Sequence, residues 1–109
     1  MNVVQKLCRR ALDALPERPH RDIHYLLALA YHESNRDLRE AVEHYERAIA
    51  LGIDEFWGRY HRGRLLHSIG EHFRAEADLA RAVELRSDDA GARNMLALIR
   101  SSMASSAAA

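Results

Sequence analysis

Eleven residues from Ala41 to Leu51, AVEHYERAIAL, return 34 positions later as Ala75 to Leu85, AEADLARAVEL. In the first copy Ala41, Tyr45, Ala48 and Leu51 fall on one face of an amphipathic helix. In the second the same face carries Ala75, Leu79, Ala82 and Leu85. A period of this length holds a pair of helices and a turn, and one pair cannot bury its apolar faces alone. The chain is therefore restricted to packed helical hairpins.

Composition agrees with this restriction. Apolar residues make up 48% of the 109, with only two prolines and five glycines. β-Branched residues are scarce, which favours helix over strand. Sixteen basic residues balance sixteen acidic ones. A nucleic-acid binder normally carries a basic excess, so that class is disfavoured. The single cysteine, Cys8, rules out an internal disulfide and fits a reducing compartment. MNVVQKLCRR lacks the long apolar run of a signal peptide, and no stretch is long and apolar enough for a membrane span. The expected location is the cytoplasm.

Periodicity predicts six helices. Residues 2–15 carry an apolar stripe of Val4, Leu7, Cys8, Ala11, Leu12 and Leu15, closed by Pro16 and Pro19. Residues 21–34 form a second helix with Ile23, Leu26, Leu27, Ala30 and Tyr31 inward. The turn ESNRD follows, with Asn35 or Asp37 expected to cap the third helix, which ends at Gly52. A fourth helix in 53–70 starts at Asp54 or Glu55. Gly63 in its middle costs about 1 kcal/mol against alanine, which implies close approach by a neighbour. Gly70 ends it. The fifth helix covers 72–86, and SDDA (87–90) caps a sixth over 89–103, with Ala92, Met95, Leu96, Ile99 and Met103 inward. The domain is expected to span 1–103, with the low-complexity tail 104–109 disordered.

These residues resemble the tetratricopeptide repeat family. Leu27, Ala28 and Tyr31, then Ala41, Tyr45, Ala48 and Leu51, match one unit. Gly63, Leu66 and Gly70, then Ala75, Leu79, Ala82 and Leu85, match a second. The first helix is similar to the second half of a further unit, with Pro16 at the place of the closing proline. The resemblance implies an all-α, right-handed helical-hairpin solenoid of about two and a half repeats, with the sixth helix as C-terminal cap. It departs from the pattern at one extra residue near Ser34–Asp37, at Ile53 and Ser87 in place of closing prolines, and at Arg59 in place of a large apolar residue.

The resemblance also implies a concave surface lined by the first helix of each pair. That assigns Tyr25, Leu29 and His32, then Trp57, Tyr60, Arg64 and His67, with Asn94 and Leu98 from the cap helix, to a partner-binding groove. Aromatic side chains with arginine are common makings of a binding hot spot. No acidic residue stands between Glu55 and Glu71, which suggests an anionic segment in the partner. Some family members clamp a terminal carboxylate at this face. Here the matching places hold Tyr25, Leu29, His61 and Arg64, of which only Arg64 suits that role, so that specificity is not expected.

Other chemistry is weakly supported. His20 and His24 stand at a metal-ligand spacing, but no companion pattern accompanies them, and neither metal nor cofactor is expected. The seven histidines read as surface or partly buried groups that make binding pH-dependent between about pH 5 and 7. Cys8 lies on an apolar stripe and reads as a core residue, and Ser34 and Ser68 have no recognisable base, so no enzyme is expected. Arg59, Arg62 and Arg64 interleaved with Trp57 and Tyr60 could meet RNA, the weaker alternative. Arg62 could instead reach an acid such as Glu46 or Asp78. The function expected is a non-catalytic adaptor or scaffold that holds a peptide or partner protein. The structural alternative is a homo-oligomer joined through the end helices at Val3, Leu7, Leu15 and Met95.

Overall fold

The computed structural model describes residues 3–14 and 21–108, with the side chains of 12, 14 and 106–108 left out. The described residues form six helices and no strands: α1 Val3–Ala14, α2 Arg21–Glu33, α3 Leu38–Ala50, α4 Glu55–Ser68, α5 His72–Leu85 and α6 Ala90–Ala108. They divide into two compact units, Met1–Asp54 and Glu55–Ala109. Leu15, Pro16, Pro19 and His20 lie outside the described residues. The last helix runs past Met103 through a tail rich in alanine, the best helix former.

In the first unit α2 and α3 form a hairpin against which α1 packs. Leu27, Ala28, Tyr31, Ala41, Val42, Tyr45 and Ala48 are its buried apolar set. The alanines let the helix axes approach, and the two tyrosines fill the space between. In the second unit α4 pairs with α5, and α6 covers α5. Phe56, Leu65, Leu66, Ala75, Leu79, Ala82, Ala92, Leu96 and Ile99 are buried there.

Gly63 explains how closely α4 and α5 approach. A Cβ at this position would overlap Leu79 Cδ2, and would lie 3.1 Å from Asp78 Cβ and 3.3 Å from the Ala75 carbonyl oxygen. The expectation of a close neighbour is met.

Three helices end in the same way. At Gly52 (φ 95°) the amide donates to the Ile49 carbonyl, and the next amide, of Ile53, donates to Ala48. At Gly70 (φ 86°) the pattern repeats, to His67 and then from Glu71 to Leu66. At Asn35 (φ 54°) it is made by Asn35 to His32 and Arg36 to Tyr31. This pair of bonds is the Schellman closure, which needs a left-handed residue, glycine or asparagine, just beyond the helix. Asn35 therefore ends α2 and does not cap α3. Asp37 does hold the N-cap position of α3, but its side chain makes no capping bond. Asp89 does cap α6: its Oδ1 accepts from the Ala92 amide at 2.8 Å.

The first helix buries only part of its apolar stripe. Among the described side chains of α1, Gln5 and Cys8 are buried, while Val4 and Leu7 are exposed, Leu7 by 57%. Polar partners hold the helix in this rotation. Gln5 Nε2 donates to Ser34 Oγ at 3.4 Å, Arg9 donates to the Tyr31 hydroxyl at 3.2 Å, and Arg9 also pairs with Glu40. Burial raises the Cys8 thiol above its ordinary range, as a core cysteine requires.

Candidate functional site

The first helices of the two hairpins correspond with an offset of 35 positions and the second helices with 34. Tyr25, Leu29 and His32 on α2 thus stand in register with Tyr60, Arg64 and His67 on α4. The structure gives the two faces different surroundings.

On α2, Tyr25 and His32 are half-buried against Tyr45. The Tyr25 ring lies 6.1 Å from that of Tyr45, and His32 meets the same ring edge-on, with its Nδ1 3.3 Å from the hydroxyl. Burial, and then the charge of Asp54, push the Tyr25 phenol up. Leu29 turns toward α1. With Val4, Leu26, Ala30, Glu33 and Ser34 it lines a shallow, open concavity of about 470 Å³.

On α4 the rings gather. Trp57 is 40% exposed and meets Tyr60 edge-on at 5.9 Å. It stacks on His61 at 5.8 Å, and Tyr60 stacks on the buried Phe56 at 5.9 Å. The Arg64 guanidinium carbon lies 5.8 Å from the Tyr60 centroid, and that of Arg86 lies 4.4 Å from Phe56 and 5.5 Å from Trp57. These are cation–π distances. The Tyr60 hydroxyl reaches the start of α6, where a Cβ on Gly91 would come within 3.2 Å of it. Asn94 and Leu98 are exposed on α6.

The three arginines of α4 are not equivalent. Arg62 grips Asp78 with two bonds of 2.7 Å, from Nε to Oδ2 and from Nη2 to Oδ1. Arg59 adds a bond of 3.2 Å to Asp78 and faces Glu55 at 3.5 Å. Asp78 is only 2% exposed, so its charge depends on both cations. Asp78, one of the two acids offered to Arg62, is a partner that α5 brings to α4. Arg64 stands apart from this network, against Tyr60. Glu55 is bound by Arg81 of α5 at 3.0 and 3.3 Å, which holds its carboxyl below the usual range.

Two histidines depart from the surface or half-buried reading. His24 and His44 are both buried, their Nδ1 atoms 2.9 Å apart, one ring donating to the other. The ring centres lie 5.1 Å apart with 25° between their planes, and the Tyr31 ring lies 6.1 Å from that of His44. Burial first, then His24, Arg9 and Arg47, pull the His44 imidazolium down to about 4. A second pair, His67 and His72, places its Nδ1 atoms 3.1 Å apart across the α4–α5 turn. Spacings of twenty and five residues match no helix face, so neither pair carries a local sequence signal.

Of the residues assigned to end contacts, Val3 is 69% exposed, Leu7 is exposed and Met95 is half-buried. Among the described residues no helix is long and apolar enough to cross a membrane.

Comparison with known proteins adds two findings. The family model for the tetratricopeptide repeat matches residues 22–51, which span α2 and α3. Among solved structures the chain is similar to the first tetratricopeptide-repeat domain of Spaghetti (RPAP3) bound to the HSP90 peptide SRMEEVD. Identity is 23%, the match covers 92% of this chain and 77% of that one, and the TM-score is 0.79. No curated protein matches the chain. A register that repeats from the first hairpin to the second, a match of the repeat model to the first, and a shared fold over nine-tenths of the chain agree: the chain has the all-α fold of tetratricopeptide-repeat domains, and its α2–α3 hairpin matches that repeat.

Proposed function

We propose that the chain is a non-catalytic adaptor that holds a short anionic peptide segment of a partner protein, with the exposed face of α4 as principal contact. The observation that carries this is the cluster of Trp57, Tyr60 and Arg64. Two aromatic rings in mutual contact present area at little entropic cost, and a guanidinium lies beside one of them. Arg59 and Arg62 are committed to Asp78, so Arg64 is the cation suited to a carboxylate from outside. That the Spaghetti domain was solved with a peptide supports the class of ligand, not its identity. Tyr25, Leu29 and His32 on α2, and His67 and Asn94, are secondary contacts in this reading, and the cytoplasm is its setting.

Trp57 is the only tryptophan, so its emission reports directly on the site. Short peptides with and without acidic residues, titrated onto the full chain, test the reading. Acidic peptides should shift Trp57 emission, and Arg64→Ala should weaken them by about tenfold or more, the effect of a lost charge-assisted bond. Emission unmoved by any peptide, or an Arg64→Ala chain that binds as well, would contradict it.

Self-assembly is favoured by one observation: the uncovered apolar row Val3, Val4 and Leu7 on α1. Under that reading Leu7→Glu lowers the mass measured by light scattering. Under the adaptor reading the mass is a monomer's at all concentrations and Leu7→Glu leaves it unchanged.

A further inference from the structure

His67 is the second-last residue of α4 and His72 the first of α5, on either side of the Gly70 closure. Both side chains are half-buried, and each meets the other. We propose that this pair is a two-nitrogen site for a divalent transition ion that prefers imidazole, Zn2+ or Cu2+, and that the bound ion ties the end of α4 to the start of α5.

The geometry favours convergence on a common point. With Nδ1 atoms 3.1 Å apart and nitrogen–metal bonds of about 2.05 Å, an ion equidistant from both would see them at about 98°. That angle lies between the square-planar and tetrahedral values. Rings aimed head-on at each other would have centres about 5.4 Å apart; these stand at 5.0 Å, so they are tilted off the line between the two nitrogens. The buried pair differs. For His24 and His44 head-on rings would stand about 5.2 Å apart, and the observed 5.1 Å is the head-on arrangement. That pair is closed off from water as well, so an ion there could not complete its shell.

The chemistry follows without loss of a proton. In the metal-free pair one Nδ1–H donates to the other Nδ1. On binding, that hydrogen moves to Nε2, both rings take the Nε2–H tautomer, and both Nδ1 lone pairs face the ion. Among the described residues no group of three histidine, cysteine or acidic side chains could hold a metal. The remaining positions therefore go to water, which makes the site open and of moderate affinity, strongest for Cu2+ by the usual order of divalent ions.

The test titrates the full chain with micromolar Cu2+ and, separately, Zn2+. The expected result is one Cu2+ per chain, with electron paramagnetic resonance showing two imidazole nitrogens, and a higher unfolding temperature with either ion. His67→Ala and His72→Ala should each weaken binding at least ~10-fold, the loss that removal of even an outer-shell partner causes, and should abolish the thermal gain while leaving helicity intact. His20→Ala should change nothing. No uptake by the parent chain, uptake undiminished in both variants, or uptake lost in His20→Ala would overturn the proposal.

Discussion

His44 and Asp78 occupy the same place in successive repeats, 34 positions apart, and so do His24 and Arg59, 35 apart. The slot between the two helices of each hairpin is polar and buried in both units. One fills it with a pair of imidazoles, the other with an aspartate held by two arginines. The two solutions respond differently to acid. The His44 imidazolium is lowered to about 4 in the fold, against about 6.5 in the unfolded chain. Above pH 6.5 neither state binds the proton and stability is flat with respect to this group. As pH falls from 6.5 to 4 the unfolded chain takes up a proton that the folded chain refuses, so stability declines, by up to about 3 kcal/mol. Thermal unfolding across this range should show the loss. The double substitution His24→Arg with His44→Asp, which replaces the imidazole pair by one like Arg59 and Asp78, should remove the loss between pH 6.5 and 4. Gly63→Ala tests the other tight place in the hairpins. Alanine is a better helix former by about 1 kcal/mol, yet its Cβ would overlap Leu79, so the net effect is a destabilisation of about 1–3 kcal/mol, measurable by urea unfolding.

At the level of elements, the left-handed closures at Asn35, Gly52 and Gly70 set where three helices stop. Gly52→Ala should cost about 1 kcal/mol, because φ of 95° is strained for any residue with a Cβ. Asn35→Gly should be neutral or slightly stabilising, and thermal melts distinguish the two. Most of this architecture is legible in the sequence. The 34-residue period places α3 and α5, and glycine and Asp89 mark their neighbours' ends. What sequence misses is set by contacts between elements. Asn35 reads equally well as the start of one helix or the end of another, and only the bonds to His32 and Tyr31 decide. The apolar stripe of α1 is wider than one contact can cover, and the bonds of Gln5 and Arg9 to α2 and α3 decide that Cys8 is buried while Val4 stays exposed beside Val3 and Leu7, the face expected to be open. Phe73, 82% exposed on α5, has no structural account. The candidate site is legible only in part. Position in the repeat names Trp57, Tyr60 and Arg64, but only the Asp78 network separates Arg64 from its two neighbours.

At the scale of the whole chain, the aromatic and cationic face of α4 and the apolar row on α1 are the two surfaces that the competing readings use. The adaptor reading assigns the partner to α4. Amide and side-chain NMR spectra of the isotope-labelled full chain, recorded during titration with the acidic peptide that most perturbs Trp57, separate the two surfaces directly. Binding through α4 predicts shifts concentrated at Trp57, Tyr60, His61 and Arg64, independent of protein concentration and absent in Arg64→Ala. Shifts concentrated at Val3, Val4 and Leu7, or spectra that change with protein concentration before any peptide is added, would contradict it.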